Sequence, residues 1–226
     1  MTHRFYLLLA LVGFCGGAEI HSAKEKTSNM KQTTWELNTV NTLDGHPTQL
    51  LGAPRLIEIS QGKAMEFDGQ QDGIIVDANP LAGMGRFTLE AIFRPDAGGA
   101  KEQRFVHLQE ASGENRVLIE TRLTEDNRWF LDTFIRSGET NQTLYAEKFL
   151  HPVGEWFQAA LVFDGREMRH YVNGIQEMAA PIRYQALKAG QTSLGVRLNR
   201  VFWFKGAIRT VRFTPEALAP AHFLKP

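Results

Sequence analysis

His107, Glu120, Arg122, Asp132 and Arg136 are residues of this chain whose types could move a proton beside a bound carboxylate. Elimination from a uronate needs a base, commonly His or Tyr, beside groups that neutralise the carboxylate, commonly Arg or an amide. All five fall within stretches that read as strands. His107 lies opposite in parity to Val106 and Leu108, and Glu120 and Arg122 lie opposite to Val117, Ile119 and Leu123. In strands, this parity puts His107, Glu120 and Arg122 on the solvent-facing surface of a sheet. The plainer alternative is that polar residues on the outer face of an antiparallel strand simply meet water. Asp132 shares its parity with Phe130 and Phe134 and is not assigned a face. His170, beside Tyr171, reads either as a hydrogen-bonded core histidine or as a site residue.

Binding without turnover calls for other side chains: aromatic planes against the apolar faces of pyranose rings, and planar polar groups for the hydroxyls. Trp129, Trp203, Tyr145, Tyr171 and Tyr184 are available, although large aromatics serve a core more often than a platform. In Phe202-Trp203-Phe204, adjacent aromatics on a strand cannot all face one way, so one of them is expected near a surface or edge. The candidate ligand-binding set is therefore His107, Glu120, Arg122, Tyr171 and Trp203, with no catalytic residue assigned.

Other chemistry finds no support. The chain has no histidine pair at metal-binding spacing, no glycine-rich phosphate loop and a single cysteine. Gln191-Thr-Ser193-Leu-Gly195 lacks the first glycine of a nucleophile elbow. With 25 Lys+Arg against 25 Asp+Glu in 226 residues, the balanced charge argues against a nucleic-acid partner or a polybasic membrane-surface protein.

The elements that must position these residues begin after a targeting segment. Arg4, the apolar run Phe5 to Cys15 and the small residues Gly16-Gly17-Ala18 read as a secretory signal peptide cleaved after Ala18, with Ala23 the second choice. The run is short of the about 20 residues of a membrane span. Phe14, directly before Cys15, disfavours a lipoprotein, which needs a small residue there. The expected organisation is a signal peptide over 1–18, a polar leader over 19–33 and one domain over 34–226, secreted or periplasmic. Cleaved there, the chain keeps no cysteine and relies on its core alone.

Apolar residues alternate in Phe87–Phe93, Val117–Leu123, Trp129–Ile135 and Phe157–Phe163, which predicts half-buried strands. Asp68-Gly69, Gly98-Gly99, Ser112-Gly113, Ser137-Gly138, Asp164-Gly165 and Asn173-Gly174 supply the turns. Trp156 and Phe163 are expected in the core. The one predicted helix is a single turn at Thr214-Pro-Glu-Ala-Leu, with Thr214 as cap and Pro215 at the first helical position. Many short strands with frequent turns predict an all-β fold, a two-sheet antiparallel sandwich or a barrel.

Five segments in order, Ala64-Met-Glu-Phe-Asp-Gly, Phe87-Thr-Leu-Glu-Ala-Ile-Phe-Arg-Pro, Glu155-Trp-Phe-Gln-Ala-Ala-Leu-Val-Phe-Asp-Gly, His170-Tyr-Val-Asn-Gly and Phe204-Lys-Gly-Ala-Ile-Arg, carry a resemblance. Together they resemble the laminin-G-like jelly-roll domains of the concanavalin A-like lectin/glucanase superfamily, over roughly Trp35 to Phe223. The resemblance implies a jelly-roll sandwich with ligands met on a concave face or its rim. It leaves the function open among lectins, adhesion modules, glycosidases and lyases. Glycosidases of this fold resemble one another in Glu-x-Asp-x-x-Glu; here Glu66-Phe-Asp68-Gly-Gln-Gln71 ends in a residue that can neither donate nor take a proton. The resemblance also implies a structural calcium site, from which this chain departs: Arg209 stands where an acidic ligand would be, and its pairing with Asp68 or Asp72 would make the domain metal-independent. The expected function is a secreted, non-catalytic carbohydrate-binding or adhesion module directed at a carbohydrate or cell-surface glycan, without cofactor. The alternatives are a lyase or glycosidase with a non-standard site around His107, Glu120 and Arg122, and a structural protein-interaction domain.

Overall fold

The computed structural model describes Met1 and residues 30–226, so the apolar run, the cleavage position after Ala18 and Cys15 lie outside the described residues. In chain order the strands are β1 (Thr33–Glu36), β2 (Thr42–Leu43), β3 (His46–Leu51), β4 (Arg55–Ile59), β5 (Gly62–Asp68) and β6 (Gly73–Val76). They continue with β7 (Phe87–Pro95), β8 (Glu102–Glu110), β9 (Arg116–Leu123), β10 (Arg128–Ser137), β11 (Thr140–Tyr145) and β12 (His151–Pro152). The last are β13 (Phe157–Phe163), β14 (Glu167–Val172), β15 (Ile175–Pro181), β16 (Gly190–Leu194) and β17 (Lys205–Thr214).

Two antiparallel sheets stack as a sandwich, one of the two architectures that the alternating segments allow. The first runs β15-β14-β13-β7-β17-β5-β4, with β1 also on β17; the second runs β11-β10-β9-β8-β16-β6-β3-β2, with β12 also on β10. The four alternating segments lie in β7, β9, β10 and β13, and each sends one parity into the space between the sheets. There Phe93 stacks on Phe105 at 4.3 Å and meets the edge of Trp129 at 5.2 Å, while Trp35 closes one end against Phe213 at 4.9 Å. Burying so many aromatics supplies the main driving force in a chain whose sandwich holds no disulfide. Asn173 and Gly174 both have positive φ, 49° and 79°, the pair a type I′ hairpin requires between β14 and β15.

Three expectations need correction. The predicted helical turn at Thr214 does not form, because Thr214 is spent as the last residue of β17, paired with Thr88; Thr88 Oγ then bonds the backbone of Glu216 and Leu218. A single 3₁₀ turn starts later, at Pro220, where the ring's fixed φ suits a helix start. Trp156 stands outside the core, half-buried with Arg94 over its ring at 5.7 Å. Arg209 does not pair with Asp68 or Asp72. The register of β17 shifts between Ile208 and Thr210, and this bulge turns the guanidinium to the carbonyl of Lys225 at 2.9 Å. Asp68 instead accepts the backbone N–H groups of Gln70, Gln71 and Asp72.

Candidate functional site

The outer face of the second sheet carries the candidate site, built as cross-strand rows. Tyr145, Asp132, Glu120 and Arg104 are register neighbours across β11, β10, β9 and β8. Beside them run the rows Thr143, Phe134, Leu118, His107 and Asn141, Arg136, Arg116, Gln109 on one side, and Phe130, Arg122, Glu102 on the other. The alternate residues Phe105, Leu108, Val117, Ile119, Leu131 and Ile135 fill the core, which is why the polar rows point away from it.

The rows do not simply meet water. His107 is fully buried, Asp132 is 1% exposed and Glu120 is 4% exposed. Part of the cover is the connection from β16 to β17. Its Leu198 N–H donates to His107 Nδ1 at 3.0 Å, its Phe202 carbonyl accepts the Arg104 N–H at 2.9 Å, and the Phe202 ring lies 3.7 Å from the Arg104 guanidinium carbon. Arg200 and Phe202 both hold φ near 60°, a conformation that costs a non-glycine residue about 1–3 kcal/mol. That strain is sustained at the place where the connection seals the face.

Arginines and carboxylates interlock on this surface. Arg104 reaches Glu102 at 2.9 Å and Glu120 at 2.9 Å; Arg122 reaches Glu102 at 2.7 Å, Asp132 at 2.7 Å and Glu120 at 3.6 Å. The Arg104–Glu120 contact is an ion pair rather than an aligned hydrogen bond, so Arg104 Nε and Glu120 Oε2 keep unused hydrogen-bonding capacity. Eight buried side-chain polar atoms lack a hydrogen-bond partner among the described residues, and Arg104 Nε, His107 Nε2, Glu120 Oε2 and Asp132 Oδ1 put four of them on this one face.

Burial sets the electrostatics. Glu120 is pushed up to about 7 by burial and then by Asp132, against the pull of Arg104 and Arg122. Asp132 is also raised, since burial outweighs its bond to Arg122. His107 is pushed down to about 3, by burial first and then by Arg197, Arg116 and Arg104. It is therefore a neutral imidazole whose proton sits on Nε2, because Nδ1 accepts a hydrogen bond.

Two hollows open along the rows. One, of about 170 Å³, is walled by Arg104, Arg116, Glu120, Asp132, Phe134 and Arg197, enough for one functional group of a larger ligand. The other, of about 590 Å³, is lined by Lys101, Leu123, Phe130, Tyr145, Glu147 and Leu150, a size usual for ligand sites. Tyr145 lines the larger one and is the register neighbour of Asp132, which walls the smaller; it is 39% exposed, packs edge-on against Phe130 at 4.8 Å and has the Arg122 guanidinium 5.5 Å from its ring. A 460 Å³ hollow near the C terminus, between Glu36, Lys63, Arg209 and Lys225, has no aromatic wall.

The structure thus brings His107, Glu120 and Arg122 onto one face and Trp203, half-buried, onto the connection bordering it. Tyr171 lies elsewhere, in a small cluster with Ala160, Val162 and Phe223 on the first sheet, its hydroxyl donating to Gln176 at 3.1 Å. His170 faces the core and bonds Thr133 at 3.1 Å. Arg104, Arg116, Asp132, Phe134, Tyr145 and Arg197 complete the face. The parity that singles out Glu120 also covers Arg116 and, across the pairing, Asp132 and Phe134; nothing in the linear pattern points to Arg104 or Arg197. Among the described residues no group of three or more His, Cys, Asp or Glu is placed to hold a metal ion, and no helix is long and apolar enough to cross a membrane.

Residues 68–222 match the laminin G family of the concanavalin A-like lectin/glucanases superfamily. Among solved structures, the chain is similar to domain 4 of an extracellular arabinanase from Geobacillus stearothermophilus, solved in complex with arabinotriose: TM-score 0.65, 18% identity, 84% of this chain and 94% of that one covered. It is also similar to the receptor binding domain of a botulinum neurotoxin C/D mosaic serotype, with TM-score 0.62, 14% identity, and 84% of this chain against 48% of that one. The binding domain of Paraclostridial Mosquitocidal Protein 1 aligns with TM-score 0.62 and 11% identity, over 84% of this chain and 49% of that one. The chain thus spans about half the length of these toxin domains. No curated protein sequence matches it.

Proposed function

Since the chain belongs to the laminin G family of the concanavalin A-like lectin/glucanases superfamily, we propose that it is a secreted, non-catalytic carbohydrate-binding module whose site is the outer face of the second sheet. The observation that carries this reading is the exposed Tyr145 ring in a ligand-sized groove, one register step from Asp132 in the wall of a pocket of charged side chains. An aromatic plane beside fixed planar donors and acceptors is what a sugar ring requires. Solved relatives support it by analogy of fold: the arabinanase domain was determined with arabinotriose, and cell entry of botulinum neurotoxin type C depends on two ganglioside molecules. Secretion rests on the Arg4-to-Ala18 segment, the polar leader and a domain over 34–226 on composition.

One observation favours a second reading, cleavage by elimination. Glu120, with its pKa near 7 and flanked by two arginines, has the proton affinity of a general base at neutral pH. His107 does not serve, being buried and engaged by Leu198.

The purified chain is incubated with a panel of neutral and acidic polysaccharides, followed by pull-down, 235 nm absorbance and reducing ends. Retention on a polymer without new ends or unsaturated product is expected, weakened roughly 5-fold in Tyr145→Ala, from a stacking contribution of about 1 kcal/mol. Product absorbance that disappears in Glu120→Gln overturns the non-catalytic reading, and binding unaffected by Tyr145→Ala moves the site elsewhere.

A further inference from the structure

The charges around the small pocket are not evenly mixed. At the end nearest Tyr145, Arg104 and Arg122 each pair with acidic side chains, those of Glu102, Glu120 and Asp132. At the other end stand Arg116, Arg136 and Arg197. Their single carboxylate is Glu114, 3.1 Å from Arg116 and 3.4 Å from Arg136, and its side chain is 64% exposed. Water screens an ion pair of that kind heavily. Arg197 has no carboxylate partner among the described residues, although it is half-buried and walls the pocket.

These cations are held together at a cost. The Arg116 side chain is only 13% exposed, and its guanidinium lies 5.0 Å from the Phe134 ring. Burial, and then the nearness of Arg197, holds its proton affinity below the ordinary arginine value. Cations that repel one another gain most from a ligand that is itself anionic. A neutral hydroxyl leaves the repulsion in place, whereas a carboxylate relieves it and matches the planar guanidinium fork.

We propose that the ligand of this face, on the carbohydrate-binding reading on which the inference rests, is a carboxylate-bearing sugar chain: its carboxylate is held by Arg116 and Arg197 and its rings run toward Tyr145. The path from the Arg116 row to the Glu120 row spans four residues of β9, about 13 Å, the reach of a short oligosaccharide. The Glu102, Glu120 and Asp132 carboxylates along it are left to accept hydroxyl protons.

The test is calorimetric titration of the purified chain at 50 and 200 mM salt with oligomers of galacturonate, of mannuronate and guluronate, and of glucuronate. Each is used as free acid and as methyl ester, beside neutral arabino- and gluco-oligosaccharides. At least one free acid binds, its ester binds tenfold or more weakly, and affinity falls with salt. Arg197→Gln and Arg116→Gln each weaken the acid at least tenfold at unchanged thermal midpoint, while Arg209→Gln, outside this face, changes nothing. Equal binding of acid and ester, or binding of a neutral oligosaccharide indifferent to Arg197→Gln, overturns the carboxylate and leaves the carbohydrate reading standing. Acid binding untouched by both arginine variants overturns the placement, and no binding to any saccharide, acidic or neutral, overturns both readings.

Discussion

Replacing His107 by asparagine removes one titrating group and keeps an acceptor for the Leu198 N–H, so it isolates what the buried imidazole does to stability as pH falls. The pKa is about 3 in the folded chain against 6.5 for the free side chain. For a base whose folded pKa is depressed, the unfolded state takes up the proton first. The imidazole therefore costs nothing above pH 6.5, and stability is lost as pH falls from there toward 3. At pH 5 the unfolded chain has gained from protonation about 1.4 kcal/mol for each of the 1.5 pH units below 6.5, roughly 2 kcal/mol in all. Urea unfolding followed by tryptophan fluorescence, at pH 8 and pH 5, measures this. The wild-type chain should lose about 2 kcal/mol more than His107→Asn between the two pH values. Glu120 titrates in the same range with the opposite sign, and its contribution cancels in the difference between the two proteins. His170, also held at about 3 by burial, supplies an independent repeat of the same size. Equal pH dependence in wild type and His107→Asn refutes the assignment of a buried neutral imidazole beneath the 195–204 connection.

Glu120→Gln tests the opposite sign: a carboxyl whose folded pKa rises from 4.5 to about 7 stabilises the fold most at low pH and loses that contribution as pH climbs. The wild-type chain should lose roughly 2–3 kcal/mol more than the variant between pH 5 and pH 8, read from the same urea titrations. Gly195→Ala should be strongly destabilised, by more than about 3 kcal/mol, because a Cβ there would clash with the buried Phe67 ring and the residue holds φ near +77°. Its thermal midpoint checks this; an unchanged midpoint would show that the β16–β17 connection is not anchored where the structure places it.

Several parts of the molecule were legible from residue order. Period-two alternation located β7, β9, β10 and β13, and the Asn173-Gly174 pair located a hairpin, because both signals are local: a pleat and a turn each depend on two to four neighbouring residues. The shared face of His107, Glu120 and Arg122 followed from the same pleat. The helical turn at Thr214 failed for the converse reason, since a favourable cap was overridden by a strand pairing with Thr88, far away in the chain.

What residue order determined, then, is the class of fold, its family and the parity of β7, β9, β10 and β13, all of which follow from local pattern and from motifs in sequence. Only the tertiary structure decided which parities meet and what covers them. The irregular register of β8 between Arg104 and Val106 brings Arg104 and His107, three residues apart, onto one face, which strict alternation forbids. The bulge in β17 takes Arg209 away from the aspartate turns. Arg197 and Phe202 reach the face from a connection whose path depends on the sheet beneath it, through the Leu198–His107 and Arg104–Phe202 bonds. Burial, charge segregation and the altered proton affinities of Glu120 and His107 arise only when these non-local parts close over one another, because each depends on the distance between groups that the linear chain keeps far apart.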